Sequence, residues 1–211
     1  MKIGIFGGTF DPVHIGHLRA AEEIREGFPL NRIYFVPANI PPNKRSKEIT
    51  GVDVRIEMLK AAVRGNRYLS VSDVEAKRGG ISYTIDTIRS YARDRDEPFF
   101  IIGMDAFLEI DTWYDYENLF YHTNFIVITR PFGTTTNGID IFPSPAREAI
   151  RKKGEGEYEH RSGKKIYLKD VTAIGVSSTD IRGYVKDGRS IRYIVPESVK
   201  RIIIRRGLYR G

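Results

Sequence analysis

The chain contains no cysteine, which excludes disulfides, thiolate nucleophiles and Cys-ligated metal centres. It also lacks any apolar run of membrane-spanning length, and its first residues enter a strand pattern rather than the apolar stretch of a signal peptide. A cytoplasmic location without membrane association is expected. There is no G-x-G-x-x-G, since the early glycines fall at Gly4, Gly7 and Gly8, and no Walker A follows. Of the four histidines, His122 and His160 stand in unrelated contexts. No third or fourth ligand therefore backs a zinc site, and no protein-held metal is expected. An RNP-like aromatic pattern and a zinc finger are both missing, so nucleic acid is not an expected partner.

What is present is ordinary in amount and uneven in place. At 211 residues, 41% hydrophobic and 29% charged, the chain can bury a sizeable core, and one domain over 1–211 is expected. Residues 151–211 hold 16 Lys/Arg against 7 Asp/Glu, a surplus of +9 in a chain whose net charge is +7. A basic C-terminal third suits a polyanion, either nucleic acid or a small polyphosphate, unless it is simply a solvated surface.

The sequence is densest in meaning in its first seventeen residues, MKIGIFGGTFDPVHIGH. Ile3, Ile5 and Phe6 read as a short buried strand. Gly7 and Gly8 follow, and His14-Ile15-Gly16-His17 leads into LRAAEEIRE, whose Leu18, Ala21 and Ile24 form one helical stripe. Strand, glycine loop and helix start together make a phosphate cradle: backbone passes close to a ligand, and the helix N-terminus offers N–H groups and partial positive charge. His14 and His17, at i and i+3, can face one ligand and donate to phosphate oxygens.

Further along, Arg32–Pro37 reads as a second strand, so strand–helix–strand is a right-handed parallel crossover. ANIPPNKRSKEITG is a loop at that strand's carboxyl end, with Lys44 placed to meet an anion. Val52–Val63 is helical, with Val54, Met58, Leu59, Ala62 and Val63 apolar. Tyr68–Val71 is a short strand, Gly79-Gly80 a turn, and Ser82 or Tyr83 starts a helix with Ile85, Ile88 and Tyr91 inward, where Thr84 is a candidate cap. Glu97–Gly103 is a buried central strand. Asp105 beyond it either accepts from ribose hydroxyls or caps a short helix Ala106–Ile110. Trp113-Tyr114, in a polar context, offers an aromatic surface for a flat heterocycle, or a lid on the core edge. Asn124–Thr129 is a strand ending at Arg130, another cation positioned for phosphate. Pro145–Lys153 is read as a helix and the charged stretch 153–165 as a loop, and residues 132–163 are assigned no chemistry. Lys165–Leu168 is a strand. Ser177-Ser178-Thr179 caps a helix with Ile181 and Val185 inward and Arg182 in its first turn, where an anion would offset a cation otherwise opposed by the dipole. Pro196 suits the first position of a closing helix Glu197–Ile204.

GGTFDPVHIGH resembles the signature of the HxGH nucleotidyltransferase superfamily, which shares that motif with class I aminoacyl-tRNA synthetases. Together with SYTIDT, GMD, Trp113 and SSTDIR, it resembles the bacterial nicotinate-nucleotide adenylyltransferase family over nearly the whole chain. The resemblance implies a Rossmann-like α/β fold: an open parallel sheet with helices on both faces and a small C-terminal helical part, about 175–211. It implies AMP transfer from ATP to nicotinate mononucleotide with Mg²⁺ carried mainly on the ATP phosphates, and His14, His17 and Arg182 as catalytic residues. On the ATP side it places Gly7, Gly8, Thr9, Phe10 and Gly16 with the histidines, Gly103 and Asp105 at the adenosine, and Ser177, Ser178, Thr179 and Arg182 at the β- and γ-phosphates. On the mononucleotide side it places Lys44, Thr84, Trp113, Tyr114 and Arg130. Other acceptors on the same scaffold (nicotinamide mononucleotide or phosphopantetheine), a non-enzymatic nucleotide- or RNA-binding regulator, and a homo-oligomer stay open.

Overall fold

A computed structural model describes residues 1–42, 49–92, 96–129 and 138–210. The first strand, β1 (Lys2–Gly8), lies between two parallel neighbours, β2 (Arg32–Pro37) and β4 (Glu97–Gly103). Helix α1 (Ile15–Gly27) carries the chain from β1 to β2, and α2 (Val52–Ala62) carries it on to β3 (Leu69–Val71). After β3 come α3 (Val74–Arg78) and α4 (Thr84–Tyr91), and the chain then returns to the other side of β1 as β4. Beyond β4, α5 (Met104–Leu108), a 3₁₀ turn Ile110–Thr112 and α6 (Tyr116–His122) lead to β5 (Asn124–Thr129).

The later part runs through α7 (Ser144–Arg147), β6 (Ile150–Gly154), β7 (Glu157–His160), β8 (Lys165–Asp170), α8 (Ser178–Lys186) and α9 (Glu197–Arg205). Among the described residues the strands form one sheet in the order β3-β2-β1-β4-β5-β8-β7-β6. The run from β3 to β8 is parallel, whereas β7 and β6 are antiparallel.

The central strands are apolar on both faces, as burial on both sides demands. Phe99, Ile101 and Ile126 face one core, with Ala21 and Ile24 of α1, Met58 and Leu59 of α2, Ile181 of α8 and Val199 and Ile203 of α9. Phe100, Ile102, Phe125 and Val127 face the other, with Ile85 and Ile88 of α4, Phe107 of α5 and Leu119 and Phe120 of α6. The helices on both faces are thus those the apolar stripes require. Among the described residues no helix is long and apolar enough to cross a membrane.

Several expectations need correction. The sheet is not wholly parallel. The helix expected over Pro145–Lys153 is only Ser144–Arg147, and its remainder is β6; the charged stretch read as a loop contains β7. In β7, Tyr158 and His160 are buried while Glu157 and Glu159 are only half-covered, a period of two hidden under a high charge count. Val74–Arg78 is a helix the pattern did not announce. Gly103, not Asp105, caps α5, which starts at Met104 rather than Ala106. Tyr83 rather than Thr84 caps α4, and Pro196 sits at the cap of α9 rather than at its first helical position.

Candidate active site

From β1 the chain runs outward through β2 to β3, then resumes on the opposite side of β1 with β4. The carboxyl ends of β1 and β4 therefore flank a crevice where the strand order reverses, the usual ligand position in open α/β sheets. Phe6 pairs with Ile101, which sets Gly8 at the end of β1 level with Gly103 at the end of β4. A Cβ on Gly8 would lie 2.9 Å from the Phe10 ring, so the turn into the cradle closes only with glycine there.

His14 is the N-cap residue of α1, in extended conformation, and its carbonyl accepts from His17 N (3.0 Å) and Leu18 N (3.3 Å). The two imidazoles stack with centroids 3.7 Å apart and planes inclined by 31°. The His14 backbone N–H donates to His17 Nδ1 at 3.3 Å. A neutral His17 consequently carries its proton on Nε2. The glycine between them has a steric reason: a Cβ on Gly16 would lie 3.1 Å from the His14 ring. Phe10, left-handed at φ 51°, buries its ring in the core and meets His17 edge-on at 5.0 Å. Its ring is a support for the histidine. No acidic residue occupies the first turn of α1, so the positive end of the helix keeps its field for a ligand.

A buried network fixes this loop. Arg55 of α2, only 1% exposed, donates to the Thr9 carbonyl (2.8 Å), to Thr50 (2.7 Å) and to Ala38 and Asn39 (2.6 and 3.2 Å). Burial pulls its pKa down, and the Asp11 carboxylate is the first of the charges that counter this. Asp11, 3% exposed, accepts from Thr50 N–H (3.1 Å) and from the Tyr209 hydroxyl (2.6 Å). Its carbonyl accepts from Arg182 at 2.7 Å, and the Pro12 carbonyl accepts from Ser178 Oγ at 2.9 Å. The start of α8 is thereby laid against the β1–α1 loop. Arg182 also reaches Thr179 Oγ1 at 3.2 Å. Ser177 is the cap of α8, receiving the Asp180 N–H and donating to its carboxylate, which that bond holds below the usual carboxylate range. Ser178, Thr179 and Arg182 thus join the histidines, while the Ser177 hydroxyl is committed to its helix.

The opposite wall is more open. Gly103 and Asp105 are exposed. Thr84 opens α4, and Tyr83 before it stacks on Tyr114 at 4.6 Å. Tyr114 is 62% exposed, whereas Trp113 is half-buried, edge-on to Phe100 at 6.3 Å. The Trp113 ring packs on the edge of the core, the second of its two sequence readings. Arg89 of α4 pairs with Asp115 at 2.9 Å, fastening this loop to the helix. The α4 entry is stitched to the β2 loop, where Asn39 N–H donates to Ser82 Oγ (2.8 Å) and Ser82 N–H to the Ile40 carbonyl (2.9 Å). Lys44 and Arg130 lie outside the described residues.

Four residues escaped sequence reasoning. Asp11 lay in view inside the motif without a role. Arg55 had a signal: it shares the apolar stripe of Met58, Leu59 and Ala62, an odd place for a cation. Tyr83 sat within SYTIDT. Tyr209 carried no signal at all.

Among the described residues no three carboxylates or imidazoles converge as a metal site. A cytidylyltransferase-like family model matches residues 5–184. Proteins named "probable nicotinate-nucleotide adenylyltransferase" from Desulfatibacillum aliphaticivorans and Geobacter sulfurreducens are 41% and 42% identical, over 215 and 212 residues. Each alignment takes in 99% of this chain, and 100% and 98% of the relative. The solved Plasmodium falciparum nicotinic acid mononucleotide adenylyltransferase, complexed with NaAD, shares the fold with a TM-score of 0.74 at 18% identity, over 99% of this chain and 97% of that one.

Proposed function

The chain belongs to the cytidylyltransferase-like family, among its nicotinate-nucleotide adenylyltransferases, and from that premise we propose that it transfers AMP from ATP to nicotinate mononucleotide, releasing pyrophosphate and nicotinate adenine dinucleotide. The observation that carries the site assignment is the stacked His14–His17 pair at an acid-free helix N-terminus, joined to Arg182 through Asp11. The acceptor phosphate is ionised at neutral pH and attacks the α-phosphorus in line, so no general base is needed. Catalysis is positioning and charge stabilisation. His17 donates from Nε2 to a phosphate oxygen as charge moves onto the leaving pyrophosphate, and His14 holds the ring beside it. Arg182, Ser178 and Thr179 hold the β/γ end, with Gly7, Gly8, Thr9 and Gly16 giving backbone access. Gly103 and Asp105 face the adenosine.

The α4 N-terminus with Thr84, walled by Tyr83, Trp113 and Tyr114, receives the pyridine ring and its carboxylate; Lys44 and Arg130 are assigned to the acceptor's phosphate. Two imidazoles and a guanidinium at a helix N-terminus suit phosphate oxygens rather than a cation. Mg²⁺ is accordingly assigned to the nucleotide phosphates and water, where it offsets their charge. The reaction is placed in the cytoplasm, on freely diffusing nucleotides.

The test is pyrophosphate release with ATP and Mg²⁺, comparing nicotinate mononucleotide, nicotinamide mononucleotide and phosphopantetheine. A strong preference for the first is expected. Turnover only with phosphopantetheine would remove the pyridine assignment of Thr84 and Trp113 while leaving the phosphate side standing.

A further inference from the structure

The segment that follows α9 reaches back to the start of the chain. Tyr209, left-handed at φ 64° and half-buried, donates its hydroxyl to Asp11 Oδ1 at 2.6 Å, across 198 residues. Asp11 Oδ2 accepts the Thr50 N–H (3.1 Å), and the carbonyl of the same residue seats Arg182 (2.7 Å). Asp11 is therefore held at one end by Tyr209 and Thr50 and presents its other end to the guanidinium. Beside it, Arg55 anchors both Thr9 and Thr50 through their carbonyls. Rotation of the Asp11 peptide would move the acceptor that fixes Arg182, and the Tyr209 hydroxyl is a side-chain restraint against that rotation. Nothing in the transfer chemistry consumes Asp11 or Tyr209, yet a carboxylate buried this deeply is costly unless its acceptor capacity is used.

We propose that Tyr209 is a positioning residue for ATP binding, acting through Asp11 to hold Arg182 in its phosphate-facing pose. The inference rests on the phosphate role given to Arg182 above. It adds that the segment after α9 is part of the nucleotide site without touching the nucleotide. The Tyr209–Asp11–Arg182 contacts do not run to α4 or Trp113; the two sides meet instead through Arg55, which bonds the Asn39 carbonyl beside Ser82.

Tyr209→Phe keeps the ring and removes only the hydroxyl. Equilibrium binding of ATP with Mg²⁺, measured without any acceptor, should weaken about fivefold to tenfold, the scale of one ordinary intramolecular hydrogen bond. In turnover the KM for ATP should rise by a similar factor, with the KM for nicotinate mononucleotide unmoved. The decisive arm is Tyr209→Phe in an Arg182→Ala background: if Tyr209 acts through Arg182, the second change weakens ATP binding no further. Asp11→Asn supplies an independent variant and should weaken ATP binding in the same way. Wild-type ATP affinity in Tyr209→Phe, equal losses for both substrates, or additive losses in the double variant would each overturn the proposal. A wild-type protein that binds ATP but turns over no pyridine acceptor would instead sink the acceptor reading and leave this test intact.

Discussion

The β1 side of the crevice and the β4 side hold their assigned groups differently. On the β1 side His14, Asp11 and Arg55 are buried, and hydrogen bonds to the main chain fix the loop from Thr9 to Pro12. On the β4 side Gly103, Asp105 and Tyr114 are open to solvent, and around Tyr114 the contacts are ring on ring or a partly exposed ion pair such as Arg89–Asp115. An exposed pair of that kind is worth about 0–1 kcal/mol. The contrast follows the chemistry. Charge that develops in a transition state is stabilised best by donors already in place, because no reorganisation is paid at the moment of reaction. Choosing an acceptor requires only that the right ring gain contact on arrival, which exposed aromatics supply.

The largest effect expected from that contrast is on the rigid side. His17→Ala should lower kcat by about 10²- to 10³-fold, as for loss of one preorganised donor, with both KM values and the melting temperature little changed. A loss confined to KM would mean that the histidine binds and does not catalyse. Next, Arg55→Met should destabilise the fold by about 3 kcal/mol in denaturant titration, since it strands buried carbonyls on loops of both walls while keeping the apolar stem. If stability held and only the ATP-side kinetics changed, the two walls would be more independent than the Arg55 contacts imply. On the open side Trp113→Ala should raise the KM for nicotinate mononucleotide about tenfold, the scale of one stacking contact, and leave the KM for ATP alone. Equal rises for both substrates would erase the division.

The smallest effect lies behind α4. Glu75, buried and receiving the Thr87 hydroxyl at 2.5 Å, has its carboxyl pKa raised by burial. Folding therefore favours its protonated form. That contribution is present below the ordinary glutamate pKa and is lost as pH rises through the folded value. Glu75→Gln, neutral throughout, should gain stability relative to the wild type between acid and neutral pH. A stability difference that stays flat with pH would show the carboxylate ionised and paired with Arg78.

Strands buried on both faces were legible from sequence because a continuous apolar run has few alternatives: Glu97–Gly103 and Asn124–Thr129 were read with their observed bounds. The site's first elements were legible because glycines and histidines at a strand-to-helix junction have few structural excuses. The β6–β7 hairpin was not, because its alternation involves only Tyr158 and His160 among charges, and a four-residue strand gives periodicity too little length. Asp11, Arg55 and Tyr209 were hidden for another reason. Their partners are main-chain carbonyls and a residue nearly the whole chain away, and neither leaves a trace in local pattern.

The contact between Arg182 and the Asp11 carbonyl closes a loop of 171 residues. Contacts of such separation form only after the chain between them has paid its closure entropy, and they rank among the slow events of folding. A molecule with β1 to β5 assembled and α8 undocked would already carry both histidines, yet it would lack the Arg182 contact on which the proposed phosphate seat depends.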